Sequence, residues 1–145
     1  MDSTMNNPIY PCLWFDGKAK EAAEFYCSVF KDSKIITDTP MVVQFELNGS
    51  RFMGLNGGPH FKFNEAVSLV VNCENQEEID YYWEKLTGEG GQESMCGWLK
   101  DKYGLSWQIV PSNMGKLMTD PARAQRVMPV LMQMKKLDIR KLEEA

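Results

Sequence analysis

Apolar residues along this chain change their spacing in an order that predicts a strand, a helix and three more strands. Residues 9–15 form a short apolar run with aromatic side chains, which is typical of a buried strand. From Ala19 to Phe30 the apolar side chains recur at helical spacing, which predicts a helix packed on a sheet. Three further strands are predicted at 34–37, 41–47 and 51–56. Asn48-Gly49 joins the last two, and this dipeptide favours a tight hairpin because both residues accept positive φ.

The second half of the chain repeats the same order. A β-branched, apolar strand is predicted at 66–72 and is expected to lie centrally in a sheet. A helix is predicted at 76–86, with an inward stripe formed by Ile79, Tyr82, Trp83 and Leu86. The remaining strands are predicted at 93–95, 97–102 and 105–110. The pattern therefore predicts a second module of the same kind.

Two pairs of similar segments support this repeat. Residues 16–26 resemble residues 72–82, and residues 48–55 resemble residues 103–110 at nearly the same offset. Self-similarity at a fixed offset indicates a repeated structural unit, so we expect an α+β fold with two tandem βαβββ modules. The predicted boundaries are about 8–57 for the first module, 65–111 for the second and 112–145 for a helical tail.

The tail is predicted to be helical, with one well-marked start. Asp120 followed by Pro121 is a typical beginning, because the aspartate can cap the helix and proline fits its first turn. An apolar face follows, formed by Val127, Met128, Leu131, Met132 and Met134. Pro129 lies within this face and should kink or interrupt the helix.

Composition narrows the possible classes of function. At 145 residues the chain is expected to form a single domain, 1–145. Its net charge of −4 argues against a nucleic-acid partner, and no apolar run is long enough to cross a membrane. The N-terminus, 1–8, is polar and lacks the pattern of a signal peptide. Four widely spaced cysteines without a C-x-x-C motif then predict a cytoplasmic protein with reduced thiols.

Several catalytic arrangements find little support in the sequence. The glycines at 88, 90 and 91 do not form a dinucleotide or S-adenosylmethionine motif after a strand. Cys12 and Cys96 are candidate nucleophiles, but no base lies near either in sequence, and we favour buried thiols. The single histidine, His60, is either a proton donor at a pocket rim or a solvated loop residue, and we favour the latter.

A set of motifs in this chain is similar to those of a known family. These motifs are Pro11–Gly17, Phe25-Tyr26, Phe52–Pro59, Cys96–Gly104, Ser106–Pro111 and Met132–Ile139. Together they resemble the PhnB-like branch of the vicinal oxygen chelate superfamily, which includes glyoxalase I, bleomycin-resistance proteins and extradiol dioxygenases. That branch is often labelled "3-demethylubiquinone-9 3-methyltransferase". The resemblance runs from about Pro8 to Leu142, although the loop between Thr37 and Met41 is shorter than in most of the branch.

The resemblance implies a curled mixed sheet with a concave cleft, where superfamily enzymes bind a divalent metal through His, Glu or Gln. The corresponding ligand positions fall near Pro11 or Cys12, near Met53, near Val67 or Ser68, and at Gln108. Only Gln108 offers a suitable oxygen donor, and one amide does not make a metal site. We therefore expect neither a metal nor another cofactor.

The same cleft would suit a small molecule. Because side chains alternate along a strand, a Gln108 that faces the cleft leaves Trp107 and Ile109 facing the helices. The residues predicted to line the ligand site are Cys12, Trp14, Met53, Asn56, Ser68, Trp98 and Gln108. An apolar pocket with a few polar anchors is typical of small-molecule sites. The alternative is that the tryptophans simply fill the core.

The sequence therefore predicts a glyoxalase-fold protein that binds a small organic molecule without a metal. The main alternative is a metal-dependent enzyme of the lyase, isomerase or dioxygenase class with atypical ligands, so the question of catalysis stays open. A dimeric interaction protein is a weaker third hypothesis. Methyl transfer has no supporting motif. The apolar face around Met128 and Met132 further predicts a homodimer, because exposed apolar patches usually mark interfaces.

Overall fold

The computed structural model describes residues 7–145 and contains two four-stranded mixed sheets, each with its own helix. The chain divides into two compact units, of which the first ends at Phe63 and the second spans Asn64–Ala145. Both units follow the order strand, helix and three strands, and helices close the chain. The predicted α+β fold with two βαβββ modules is therefore confirmed. That the two units act as one domain stays a prediction, and the polar start of the chain, 1–6, lies outside the described residues.

The first unit is a sheet with strand order β1-β4-β3-β2, in which β1 runs parallel to β4 and the other pairs are antiparallel. Its elements are β1 (Cys12–Phe15), α1 (Ala19–Val29), β2 (Lys34–Asp38), β3 (Val42–Leu47) and β4 (Ser50–Asn56). The first strand is shorter than predicted, because Ile9 is 88% exposed and lies outside it. The predicted hairpin at Asn48-Gly49 is present, with positive φ at both residues.

Helix α1 packs closely on this sheet because the residues at the contact are small. Its buried side chains include three alanines, Ala19, Ala22 and Ala23, together with Tyr26 and Val29. A Cβ added to Gly54 would lie 3.1 Å from the Cβ of Ala19, so the glycine lets the helix approach strand β4. The ring of Tyr26 stacks with that of Phe45 at 6.4 Å, which adds aromatic contact to the helix–sheet core.

The second unit has the corresponding strand order β5-β8-β7-β6, with β5 parallel to β8. Its elements are β5 (Ser68–Cys73), α2 (Gln76–Thr87), a short 3-10 turn (Gly88–Gly90), β6 (Gln92–Glu93), β7 (Trp98–Lys100) and β8 (Ser106–Pro111). Strands β6 and β7 are shorter than predicted. Strand β5 is an edge strand of its sheet and not a central one. Val67, which is predicted to belong to this strand, precedes it and is 66% exposed.

Helix α2 begins with an asparagine cap, Asn75. The Asn75 side chain accepts a hydrogen bond of 2.9 Å from the backbone N–H of Glu78. The Glu78 carboxylate in turn accepts one of 2.7 Å from the N–H of Glu74. The first bond satisfies an N–H group that a helix start otherwise leaves without a partner, and the second ties the residue before the cap to the first turn. The inward stripe is Ile79, Trp83 and Leu86, whereas Tyr82 is only half-buried.

Three helices follow the second sheet and form a small core of their own. They are α3 (Met114–Thr119), α4 (Pro121–Leu131) and α5 (Ile139–Glu143). The core consists of Leu117, Val127, Leu137 and Leu142, all at most 1% exposed. As predicted, Asp120 caps α4, accepting a hydrogen bond of 3.2 Å from Ala122 N–H. Pro129 lies in the last turn of α4, which ends two residues later, and Met128 and Met132 of the predicted apolar face are exposed.

The tail is fastened to the second sheet and to α2 by backbone and side-chain bonds. The N–H groups of Cys96 and Gly97 donate to the carbonyls of Met134 (2.7 Å) and Lys135 (2.8 Å). The amide of Gln76 donates to the Leu137 carbonyl and accepts from the Ile139 N–H, both at 2.9 Å. Lys136 pairs with Asp80 of α2 at 2.8 Å. None of the helices within 7–145 is long and apolar enough to cross a membrane.

We expect Gly97→Ala to destabilise the protein more than Gly104→Ala. Both glycines have positive φ, +83° and +87°, so each substitution carries a backbone cost of about 1–2 kcal/mol. Only at Gly97 would the new Cβ also meet neighbours, at 2.9 Å from the Ile109 carbonyl and 3.1 Å from the Leu137 side chain. Urea unfolding should therefore show a total loss of about 3 kcal/mol or more for Gly97→Ala. Equal losses for the two variants would contradict this packing.

Candidate functional site

Each strand of the first sheet turns alternate side chains toward α1 and toward the opposite face, which we call helix-free because α1, the helix of the first unit, packs on the other side. Leu13, Phe15 and Phe45 are buried on the α1 side. The helix-free face of the first sheet carries Cys12, Trp14, Val42, Gln44, Glu46, Arg51, Met53 and Leu55. Three of the predicted ligand-site residues therefore share one face of one sheet. Cys12 and Met53 are direct partners across β1 and β4.

Trp14 is held in place by the segment that follows β4. Its indole Nε1–H donates to the carbonyl of Gly58 at 2.8 Å, and its ring meets that of Phe61 edge-on at 4.8 Å. A Cβ at Gly57 would overlap the indole ring, so only glycine permits this close contact. The indole N–H already has a backbone partner, and what Trp14 offers to a ligand is the face of its ring.

Asn56, predicted to lie at the pocket rim, uses both ends of its amide on the backbone. Its Oδ1 accepts from the N–H of Ala19 at 2.9 Å, at the start of α1. Its Nδ2 donates to the carbonyl of Pro40 at 2.9 Å. The side chain thereby links the end of β4 to the first turn of α1 and to the β2–β3 loop. These contacts give Asn56 a structural role.

Cys12 and His60 are both exposed, which bears on their proposed chemistry. We expected a buried thiol at Cys12, and that expectation is wrong for this residue, whereas Cys96 is half-buried. Partial desolvation raises the pKa of Cys12, so the thiol stays protonated near neutral pH and is a poor nucleophile. Cys73 is the fully buried thiol, and burial together with Glu78 and Glu74 raises its pKa to about 12.

A row of polar side chains on the helix-free face of the first sheet was not anticipated from the sequence. Glu46 is only 6% exposed, pairs with Lys34 at 3.3 Å and lies opposite Arg51 in the strand register. Arg51 donates to Gln44 Oε1 at 2.6 Å, and its guanidinium stacks over the ring of Tyr10 at 4.2 Å. Strand alternation from Met53 could have placed these residues on its face, but the strand pattern is dominated by their apolar neighbours.

The face of the second sheet opposite α2 carries the predicted polar anchors, and we call it helix-free, although Val110 near the end of β8 packs against the core of the tail helices. Gln108 donates from Nε2 to the hydroxyl oxygen of Ser68 at 2.9 Å. Trp98 and Val70 are the partners of Gln108 on either side in the strand register. Trp107 and Ile109, which we expected on the opposite face, are 3% and 0% exposed. The structure therefore brings Ser68, Gln108 and Trp98 together on one face.

A cavity of about 180 Å³ opens on this second sheet. Its lining residues are Glu65, Gln92, Glu93, Ser94, Trp98, Leu99, Lys100 and Ser106. Lys100 forms an ion pair with Glu65. Ser106 is 1% exposed, and its buried hydroxyl oxygen has no hydrogen-bond partner among residues 7–145. A buried polar atom without a partner is uncommon and calls for an explanation.

Asp101 fixes the turn that connects β7 to β8. It is 2% exposed, and Oδ1 accepts from the N–H groups of Tyr103 (2.8 Å) and Leu105 (3.1 Å). Its other oxygen accepts from the indole N–H of Trp107 at 2.9 Å. Because Trp107 is thereby held on the helix side, Ser106 and Gln108 must point to the helix-free face.

The predicted ligand-site residues fall into two groups by unit. Cys12, Trp14, Met53 and Asn56 belong to the first unit, and Ser68, Trp98 and Gln108 belong to the second. That both groups line one ligand site stays a prediction. Sequence reasoning missed Lys100 and Ser106. Alternation from Gln108 could have indicated Ser106, whereas Lys100 is placed only by its register with Ser106.

The donor atoms at the expected metal positions do not suit a divalent metal. Across those positions the side chains are a protonated thiol at Cys12, a thioether at Met53, a hydroxyl at Ser68 and one amide oxygen at Gln108. Hard cations prefer several carboxylate or carbonyl oxygens, and zinc prefers thiolate or imidazole. Within the described part of the chain no three His, Cys, Asp or Glu side chains cluster as a metal site would require.

The two βαβββ modules define a glyoxalase-fold protein, and solved structures agree with this class. A glyoxalase-related enzyme from Fulvimarina pelagi is similar with a TM-score of 0.52, at 15% identity over 72% of this chain and 88% of that one. A fosfomycin resistance protein from Listeria monocytogenes, solved with Mn(II) and sulfate, is similar with a TM-score of 0.59. It is 11% identical over 77% of this chain and 94% of its own, so it supports the fold alone.

The family follows from closer matches. The family model described as "3-demethylubiquinone-9 3-methyltransferase" matches residues 7–110. A PhnB protein from Bacillus cereus is 36% identical over 72% of this chain and 99% of that chain, with a TM-score of 0.66. The chain therefore belongs to this family, as its motifs suggested. A comparison with curated proteins found no match.

We expect Asp101→Ala to destabilise the protein by about 3 kcal/mol or more. The change leaves the Trp107 indole and the N–H groups of the turn without their acceptor, and each buried donor left unpaired costs about 1–3 kcal/mol. Asp16→Ala, at an exposed aspartate, serves as the matched control and should change stability by less than about 0.5 kcal/mol. Chemical denaturation measures both. Similar stabilities for the two variants would show that Asp101 does not organise the hairpin.

Proposed function

We propose that this protein binds a small organic molecule on the helix-free face of its second sheet, without a bound metal. The observation that carries the proposal is the hydrogen-bonded pair Gln108–Ser68, which lies beside Trp98 on the sheet that carries the cavity. Family membership and the glyoxalase fold support a ligand-binding role. They do not define the ligand, because function depends on the site rather than on the fold.

The pair of polar side chains can recognise a ligand that has both a donor and an acceptor. Because Gln108 donates to the Ser68 oxygen, the Ser68 hydroxyl hydrogen is available to donate elsewhere. The carbonyl oxygen of the Gln108 amide can accept a hydrogen bond from the ligand. Trp98 adds a flat apolar wall next to these groups. One polar pair against an aromatic surface is a common composition for a small-molecule site.

Methyl transfer is not part of the proposal, although the family description names it. Gly88 and Gly90 lie in a 3-10 turn after helix α2 and Gly91 follows it, so these glycines do not form a loop between a strand and a helix. A cofactor-binding glycine motif needs the latter position, where backbone N–H groups at a helix start face the cofactor. The family description therefore shows which proteins this chain is related to, and we do not infer a reaction from it.

A second candidate is a metal-dependent enzyme of the lyase, isomerase or dioxygenase class. One observation favours it, which is the Mn(II) described for the fosfomycin resistance protein that shares the fold. We expect elemental analysis of the untagged protein to show much less than one transition metal per chain, because the expected positions offer unsuitable donors. Close to one zinc, nickel, iron or manganese per chain would replace our proposal with this second candidate.

The homodimer also belongs to this proposal. Met128 and Met132 on α4 are 42% and 61% exposed, and apolar surface of this kind often marks an interface between copies of one chain. A cytoplasmic location likewise stays a prediction from the sequence.

We expect Gln108→Leu to weaken ligand binding by about 1–3 kcal/mol while leaving the fold intact. The half-buried amide is the site's acceptor, and a ligand donor would lose its partner in the variant. Gln125→Leu, at an exposed glutamine of α4, is the matched control and should bind normally. We would measure dissociation constants for a ligand found by compound screening, together with thermal melts. These measurements distinguish a ligand-binding role of Gln108 from a purely structural one. A variant that binds normally but melts markedly lower would assign Gln108 a structural role.

A further inference from the structure

We infer that the ligand of the second sheet is a small carboxylic acid whose carboxylate binds Lys100, and that Glu65 occupies this position when the ligand is absent. The inference rests on the function proposed above and names the class of ligand. It is carried by three features of the cavity: a partly shielded cation, an exposed carboxylate that pairs with it, and a buried hydroxyl without a partner.

Lys100 is the cation of the cavity. Its side chain is 33% exposed, and it lies on β7 between Gln92 of β6 and Ser106 of β8 in the strand register. Among the described residues that line the cavity, Lys100 alone carries a positive charge. A partly shielded ammonium group attracts an anion more strongly than one in bulk water does, because the surrounding dielectric is lower.

Glu65 is the carboxylate that now pairs with Lys100, and its position makes it easy to displace. Its side chain is 63% exposed and belongs to the irregular segment before β5. An ion pair with one partner so exposed contributes little stability, because water and salt screen it. The hydrogen bond from Lys100 lowers the pKa of Glu65, so this carboxylate is ionised at neutral pH. Glu65 thus shows where a ligand carboxylate would bind.

Glu93, the second acidic residue in the lining, does not compete for this position. Its Oε1 accepts a hydrogen bond of 2.7 Å from the indole N–H of Trp83 in α2. Glu93 lies opposite Leu99 in the strand register and therefore faces the helix, as Trp107 does. Among the described residues that line the cavity, the charged side chains left to meet a ligand are then Lys100 and the displaceable Glu65.

The Ser106 hydroxyl supplies the second reason to expect a ligand. Ser106 is the direct strand partner of Lys100, so both side chains lie on the same face of the sheet. Its oxygen is buried without a hydrogen-bond partner in the described part of the chain, an arrangement that costs free energy. A polar group of the ligand beside Lys100 would give this hydroxyl a partner.

The cavity size limits the ligand. At about 180 Å³ it is only slightly larger than an apolar protein cavity of about 150 Å³ that binds benzene. A single aromatic ring or a short aliphatic chain with one carboxylate fits this space, and Trp98 provides the apolar wall. Benzoate is therefore a suitable probe, and benzamide is its neutral counterpart of nearly the same shape.

The experiment measures binding of labelled benzoate and benzamide by equilibrium dialysis at low salt. We expect the wild type to prefer benzoate. Lys100→Met should weaken benzoate binding by about tenfold to a hundredfold, because a charge-assisted hydrogen bond is lost. Glu65→Ala should strengthen it by about twofold to fivefold, because the competing carboxylate is gone. Ser106→Ala should weaken it by about threefold to tenfold.

The controls use a matched ion pair in the neighbouring turn. Lys102 pairs with Glu89 at 2.8 Å, with side-chain exposures of 22% and 77%. Lys102→Met and Glu89→Ala should leave benzoate binding unchanged, which excludes a general effect of net charge. Thermal melts check that each variant is folded.

The possible outcomes separate this inference from the proposed function. If benzoate and benzamide bind equally, and Lys100→Met changes neither, the carboxylate inference is overturned while small-molecule binding stands. If Glu65→Ala fails to strengthen benzoate binding, Glu65 does not occupy the ligand's position. If neither probe binds and a screen of neutral and acidic compounds of this size finds no ligand, both proposals are rejected.

Discussion

The candidate site depends on the hydrogen bonds that the buried carboxylate of Asp101 accepts. This carboxylate holds the turn after β7 through two backbone N–H groups and fixes the indole of Trp107 on the helix side of the second sheet. Side chains alternate along β8, so fixing Trp107 also decides that Ser106 and Gln108 face the other way. The hydrogen-bonded Asp101 carboxylate in the core therefore determines which side chains lie on the proposed ligand-binding face. The fold tolerates this buried charge because the hydrogen bonds from these N–H groups compensate for the hydration that the carboxylate loses.

Several residues in the motifs that identify the family have the structural role of fixing the backbone. Asn56 ties β4 to the first turn of α1, Gly57 makes room for the Trp14 ring, and Asp101 organises the β7–β8 hairpin. These residues belong to the motifs that carry the family resemblance, yet their hydrogen bonds and contacts are structural. This explains why membership of the family gives the fold and leaves the ligand open. The side chains that differ in chemistry from a typical metal site, Cys12 and Met53 among them, lie on the helix-free face of the first sheet.

The order of strands and helices could be predicted from the sequence because hydrophobic spacing and turn residues determine it locally. Asn48-Gly49 and Asp120-Pro121 marked a hairpin and a helix start, and both are present. Other features depend on strand register or on contacts between distant residues, which hydrophobic spacing does not show. The register of β7 with β8 places Lys100 beside Ser106, and the contacts of Asn56 with Ala19 and Pro40 give it a structural role. Exposure of Cys12 was missed for the same reason, since an apolar strand does not show which of its faces a helix covers.

The central claim is that a small molecule binds the helix-free face of the second sheet. An NMR titration of the uniformly ¹⁵N-labelled protein with benzoate tests it most directly, because every amide and indole N–H reports on its own surroundings. Our account predicts that the largest shift changes occur in β7 and β8 and at the Trp98 indole, with the helical tail around α4 little affected. Changes confined to the tail or to the first unit would contradict it, and no change at a high benzoate concentration would overturn the narrower inference that the ligand is a carboxylic acid.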